Sequence, residues 1–267
     1  MILRWVLFVA VLFATPLAAQ TTTLRKLDTA NSASVWKAVG RIQLGTSGFC
    51  SGTLIAADLV LTAAHCLYKG NSGATYAPTE ITFQAGFRNG KAVTERRAIA
   101  AEPHSGFDPR APLTDQNVSV DVALIQLDQP ISTFDIPPFY VSRDAVRQGP
   151  VSVVSYGRGR SNVQSRQDQC QMFRQLGDVL LFDCDVTFGS SGAPVFTHLN
   201  GRGQIMSVIS GMASYQSKRV ALGMQLPERV EEVKKQLRVN RVAPKATIKR
   251  ITVGGNRSGS GAKFVRP

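Results

Sequence analysis

Three short stretches of this chain hold side chains suited to nucleophilic chemistry. In "LTAAHC", residues 61–66, His65 stands between small residues and Cys66, directly after the apolar run "LVLTAA". An imidazole placed there is a hydrogen-bonded core group, a metal ligand or a base that takes up a proton near neutral pH. Metal ligation needs partners at matching spacing, and neither His104 in "EPHSGFDP" nor His198 in "VFTHLN" supplies one; both read as exposed or structural. No metal or cofactor is therefore expected. "DVALIQL", residues 121–127, opens with Asp121 ahead of an apolar strand. A carboxylate drawn inward must accept hydrogen bonds, and a histidine ring N–H is one suitable donor; a solvated strand edge is the alternative. Asp108 and Asp115 compete poorly for that role because they lie in a polar, Pro-rich loop. "FGSSGAPVF", residues 188–196, sets Ser191 between Gly189 and Gly192. A glycine-flanked turn exposes a hydroxyl and gathers backbone N–H groups beside it, as a nucleophile and its oxyanion require.

Such residues need rigid carriers. Four cysteines, Cys50, Cys66, Cys170 and Cys184, permit three connectivities in an oxidising compartment. Were Cys50 and Cys66 to pair, the bridge would close a short hairpin and hold the histidine turn, a constraint worth about 3 kcal/mol on the chain-entropy account. Short β-branched runs recur along the chain, among them "VGRIQL" (39–44), "ITFQAGF" (81–87), "VSVVSYG" (151–157) and "QIMSVISGM" (204–212). Turn-forming residues separate them, a pattern that predicts an all-β sandwich or barrels. "PERVEEVKKQL" (227–237) breaks the pattern: Val230, Val233 and Leu237 share one helical face, with acids early and bases late. The polar, Pro-bounded stretch 140–150 divides an N-terminal half, 36–139, from a C-terminal half, 140–238. Arg158, Arg160 and Arg166 fall in a polar stretch whose default reading is a solvated loop.

The ends of the chain have their own character. Residues 1–19 carry one Arg, an apolar run, Pro16 and "LAA", the pattern of a secretory signal peptide cleaved after Ala19. That predicts a secreted or periplasmic protein with no later membrane span. Residues 20–35 read as a short pro-segment or as the mature N-terminus. Of the net charge of +13, eight positive residues and no acids fall in 238–267, which leaves +5 for the rest. The segment 239–267 reads as a basic, disordered tail able to meet anionic surfaces, with no aromatic interleaving to suggest specific nucleic-acid binding.

Taken in order, His65, Asp121 and Ser191 resemble the trypsin-like (chymotrypsin-fold) serine proteases: "LTAAHC" matches that family's histidine motif, "DVALIQL" its aspartate strand and "GSSGAP" its "GDSGGP" serine loop. The resemblance covers roughly residues 36–238. It implies two antiparallel β-barrels of the chymotrypsin type with a C-terminal helix and a cleft between the barrels. It further implies a secreted endopeptidase acting on protein or peptide substrates. Ser191 would be the nucleophile, His65 the base, Asp121 its orienter, and the N–H groups of Gly189 and Ser191 the oxyanion hole. Asp185, six residues before Ser191, matches the family's pocket-base position and implies a preference for Arg or Lys, with Cys184 beside it paired to Cys170. Ser210, Gly211 and Met212 match the strand that pairs with an extended substrate. Two departures matter. Ser190 stands where trypsins carry the Asp that pairs with a newly cut N-terminus, and no "IVGG"-like start precedes Cys50. In both respects the chain is similar to the bacterial glutamyl-endopeptidase-like branch, although Ile209 replaces the histidine of that branch's pocket wall. The competing expectation is a catalytically idle protease-fold protein that binds through its basic surface and tail.

Overall fold

A computed structural model describes residues 22–46, 48–144, 148–198 and 203–242. The expected signal peptide and the tail beyond residue 242 lie outside the described residues. The chain enters through β1 (Arg25–Lys26) and one helical turn, α1 (Ala30–Ala33). Six strands follow: β2 (Val39–Leu44), β3 (Gly48–Ala56), β4 (Leu59–Thr62), β5 (Ile81–Ala85), β6 (Thr94–Pro103) and, after the short α2 (Asp115–Val118), β7 (Ala123–Leu127). They close into an antiparallel barrel in the order β2-β3-β4-β7-β6-β5. The apolar runs explain the closure. Every residue of β4 and β7 is buried, whereas β5 alternates buried and half-buried positions, as a strand with one wetter face must.

The second half comprises β8 (Gly149–Ser155), β9 (Ser165–Leu176), β10 (Val179–Phe182), β11 (Pro194–Thr197), β12 (Gln204–Val208), β13 (Gly211–Tyr215) and β14 (Lys218–Met224). These run antiparallel in the order β12-β11-β8-β9-β10-β14-β13, and β1 adds to β9 as an eighth strand. The expected pair of barrels is thus one closed barrel and a half-barrel sheet with β12 and β13 at its ends. Neither "TERRAIAAEP" (β6) nor "SRQDQCQMFRQL" (β9) is an apolar run, yet β9 is central to its sheet. Its inward positions are filled by Ser165, Gln167, Cys170 and Met172, all buried.

Each end of the described chain crosses to the other half. Leu27 is buried, and its N–H donates to the Gln164 carbonyl while the Thr22 N–H donates to that of Gln169. Residues 22–27 are therefore tied along β9, with β1 as the paired strand. Helix α3 (Pro227–Val242) continues past the expected Leu237 and packs on β6 and β7, burying Val230, Val233 and Leu237 in the core of the first barrel. His104 at the end of β6 bonds Glu232 of α3 at 2.7 Å, a structural role. Between the halves Trp36, Phe139 and Phe196 form an aromatic trio with centroids 4.6–5.8 Å apart. Two disulfides are present, Cys50–Cys66 and Cys170–Cys184. No helix among the described residues is long and apolar enough to cross a membrane.

Candidate active site

Strand β4 ends at Thr62, and the chain turns at once into a tight helical turn, Ala64–Leu67, that carries His65. Asp121 sits two residues ahead of β7, the strand paired with β4, so the ladder brings the two together. The carboxylate takes the His65 backbone N–H on Oδ1 at 2.9 Å and ring Nδ1 on Oδ2 at 2.7 Å. The Ser210 hydroxyl donates to Oδ2 as well. Three donors thus satisfy a carboxylate whose side chain is only 3% exposed, while the imidazole stays 35% exposed. Burial pulls the imidazolium's pKa down, but the charge of Asp121 and its hydrogen bond outweigh this, and the His65 pKa is raised. With Nδ1 committed, Nε2 is the nitrogen left to exchange a proton.

The turn bearing Ser191 is stitched to the first barrel through Ser51 on β3. The Ser51 N–H donates to the Ser191 carbonyl at 2.9 Å, and the Ser51 hydroxyl donates to the Gly189 carbonyl at 2.9 Å while accepting from the Tyr156 N–H. Ser51 follows Cys50, whose bridge leads to Cys66, the neighbour of His65. The turns that carry Ser191 and His65 are therefore each anchored within one residue of the same disulfide. On the far side the Gly192 N–H donates to the Ile209 carbonyl at 2.7 Å, one residue from the Ser210 that supports Asp121. Among the described residues, the N–H groups of Gly189 and Ser191 have no internal acceptor, and the Ser191 hydroxyl has no hydrogen-bond partner. No hydrogen bond joins that hydroxyl to Nε2, which lies 3.9 Å from Cys66 Sγ; bonds of this kind are often long without substrate and tighten in the complex.

Glycine is required at position 192. Its φ is +75°, and a Cβ there would lie 2.1 Å from Thr62 Oγ1 and 2.4 Å from the Ser51 carbonyl oxygen. Gly192→Ala should cost about 2–4 kcal/mol through backbone strain and overpacking and displace the turn. Calorimetry should show a lowered thermal midpoint, together with lost hydrolysis; an unshifted midpoint would contradict the close packing.

The pocket residues fall less simply. Asp185 is exposed, and its N–H donates to Gln167 Oε1 at 2.7 Å. Ser210 is buried with its hydroxyl on Asp121 and its N–H on the Leu222 carbonyl, so only its carbonyl remains for a substrate. Gly211 and Met212 lie on β13, which pairs with β14 on one side and has an open edge on the other, where an extended peptide can add. Met212 Sδ meets the guanidinium of Arg219, which also donates to the Val186 carbonyl. The loop arginines are not all solvated: Arg166 lies in β9 over the Trp36 ring, and Arg160 is half-buried against Ser190. Ser51, Arg160 and the bond from Ser210 to Asp121 had no signal in residue spacing. The two His/Cys/Asp clusters among the described residues, Cys50–His65–Cys66 and Cys170–Asp183–Cys184, have their sulfurs in disulfides and offer no thiolates. A cavity of about 620 Å³ bordered by Val151, His198, Met206, Gln225 and Arg229 opens at the start of α3 and includes none of His65, Asp121 and Ser191.

Comparison with known proteins gives the family and the fold. Residues 50–203 match the family described as trypsin-like peptidase domain. Human serine protease 56 is 36% identical over 100 residues, and its mouse counterpart is 36% identical over 97. The match spans 36% of this chain and only 14% of either relative. Among solved structures, a Glu endopeptidase in complex with MPD superposes with a TM-score of 0.66 at 19% identity, covering 80% of this chain and 95% of that one. A scabies mite inactivated protease paralogue, S-D1, superposes with a TM-score of 0.63 at 17% identity, covering 80% and 96%. At such identities the likeness is one of fold.

Proposed function

The chain belongs to the trypsin-like peptidase domain family, and on that premise we propose that it is a secreted or periplasmic serine endopeptidase with His65, Asp121 and Ser191 as its triad. Ser191 Oγ attacks the scissile carbonyl carbon as His65 Nε2 takes its proton. The oxyanion is received by the N–H groups of Gly189 and Ser191, and collapse expels the amine with the proton returned by His65. Water, activated by the same imidazole, then hydrolyses the acyl-serine. The observation that carries this reading is Asp121, which grips both the backbone and the ring of His65 and leaves Nε2 as the nitrogen that can exchange a proton, while Ser51, next to the Cys50–Cys66 bridge, holds the turn of Ser191. Export is supported by the N-terminal sequence and by two disulfides.

The preference for Arg or Lys before the scissile bond rests on the carboxylate of Asp185. A cleavage profile on a peptide library tests activity and preference together. Enrichment of Arg and Lys is expected, with a fluorophosphonate probe labelling Ser191. Enrichment of acidic residues would move recognition to the Arg219 guanidinium, and an unlabelled, inert protein would return the chain to a binding role.

A further inference from the structure

Ser190 is fully buried directly before the nucleophile, and its hydroxyl is saturated: it donates to the Tyr156 carbonyl at 3.0 Å and accepts from Arg160 Nη2 at 3.0 Å and from the Thr187 N–H at 3.3 Å. Arg160 also donates to the Ser155 carbonyl at 2.7 Å and to the Ser155 hydroxyl at 3.0 Å. A second strap lies alongside, where the Arg158 N–H donates to the Phe188 carbonyl at 2.8 Å and its guanidinium sits 4.3 Å over the Phe188 ring. Position 157 is shaped for the guanidinium, since a Cβ there would stand 2.9 Å from Arg160 Cζ and 2.7 Å from Thr187 Cγ2. Burial lowers the Arg160 pKa to about 10, an effect that the charge of Asp185 opposes. A half-buried cation held by neutral oxygens is costly to keep, and this one sits behind the turn that presents both oxyanion donors. The segment 22–27, meanwhile, is committed to pairing with β9 and does not reach Ser190.

We infer that Arg160 is a positioning residue: from inside the fold it holds Ser190, and through it the N–H groups of Gly189 and Ser191, in the geometry that stabilises the oxyanion, with no newly cut N-terminus taking part. This rests on the proposed endopeptidase reading. It follows that Arg160 acts on the chemical step and not on substrate affinity.

The test uses the full exported chain and a chromogenic peptide. Arg160→Ala should lower kcat by about a hundredfold, the scale of losing one oxyanion donor, with KM changed less than about threefold. Millimolar ethylguanidinium should restore part of the rate to this variant and none to the parent. Arg160→Lys should recover less than the full rate, because an ammonium lacks the fork that spans Ser155 and Ser190. Gly157→Ala, which evicts the guanidinium without removing its charge, should lower kcat in the same sense. A parent chain with three extra residues ahead of Gln20, its mass verified, should keep its kcat/KM, and this arm needs no altered core. The inference is overturned by an Arg160→Ala variant that turns over within about threefold of the parent, by a rise in KM alone, or by inactivity of the extended chain. A parent that shows no Ser191-dependent hydrolysis would overturn the endopeptidase reading itself, a separate result.

Discussion

Replacing Ser191 by alanine should lower turnover by about a millionfold and abolish fluorophosphonate labelling, while the thermal midpoint stays within a few degrees of the parent. The two halves of this expectation have separate physical sources. On the proposed mechanism turnover collapses because the attacking oxygen is lost while His65 and the N–H pair of Gly189 and Ser191 stay in place. Stability survives because the turn is held by its main chain: the Ser191 carbonyl on the Ser51 N–H, the Gly189 carbonyl on the Ser51 hydroxyl and the Gly192 N–H on the Ile209 carbonyl. None of these bonds uses the Ser191 side chain. Stopped assays with active-site titration and scanning calorimetry check the two halves. Retained hydrolysis would remove Ser191 from the mechanism, and a large drop in the midpoint would mean that the hydroxyl supports the fold.

What could be read from the sequence was whatever chemistry is written locally. "VGRIQL" became β2 over the same residues, Val39–Leu44, and the stripe of Val230, Val233 and Leu237 became the buried face of α3. The histidine turn was legible because an apolar strand, small residues and a cysteine stand side by side. β9 escaped notice because its inward positions are partly Ser and Gln, which are satisfied by distant partners; the Gln167 side chain, for example, donates to the Thr22 carbonyl. Ser51 and Arg160 escaped for a related reason: their partners lie 138 and 30 positions away, and only the closed fold brings them within reach. Ser210 was expected on the substrate strand, yet it lies one residue ahead of β13 and its hydroxyl turns inward to Asp121. Period and motif locate a strand, but they do not say which of its faces a hydroxyl will serve.

Asp121→Asn should lower kcat/KM by about ten-thousandfold near neutral pH, an effect second only to loss of the nucleophile. The carboxylate accepts from the His65 backbone N–H, the ring N–H and the Ser210 hydroxyl at once. An amide has one accepting atom and one donating end, so at least one of these donors would face an N–H. If the ring yields, it takes the tautomer with its hydrogen on Nε2 and cannot accept the Ser191 proton. The pH profile separates this from a packing defect. In the parent, the base works only when neutral, so kcat/KM falls as pH drops through the raised His65 pKa. Without the charge of Asp121, burial acts unopposed and the pKa falls, so the acid limb of the residual activity should move to lower pH. A variant within about tenfold of the parent, or one whose acid limb moves upward, would show that the imidazole does not depend on Asp121 for its orientation or its charge.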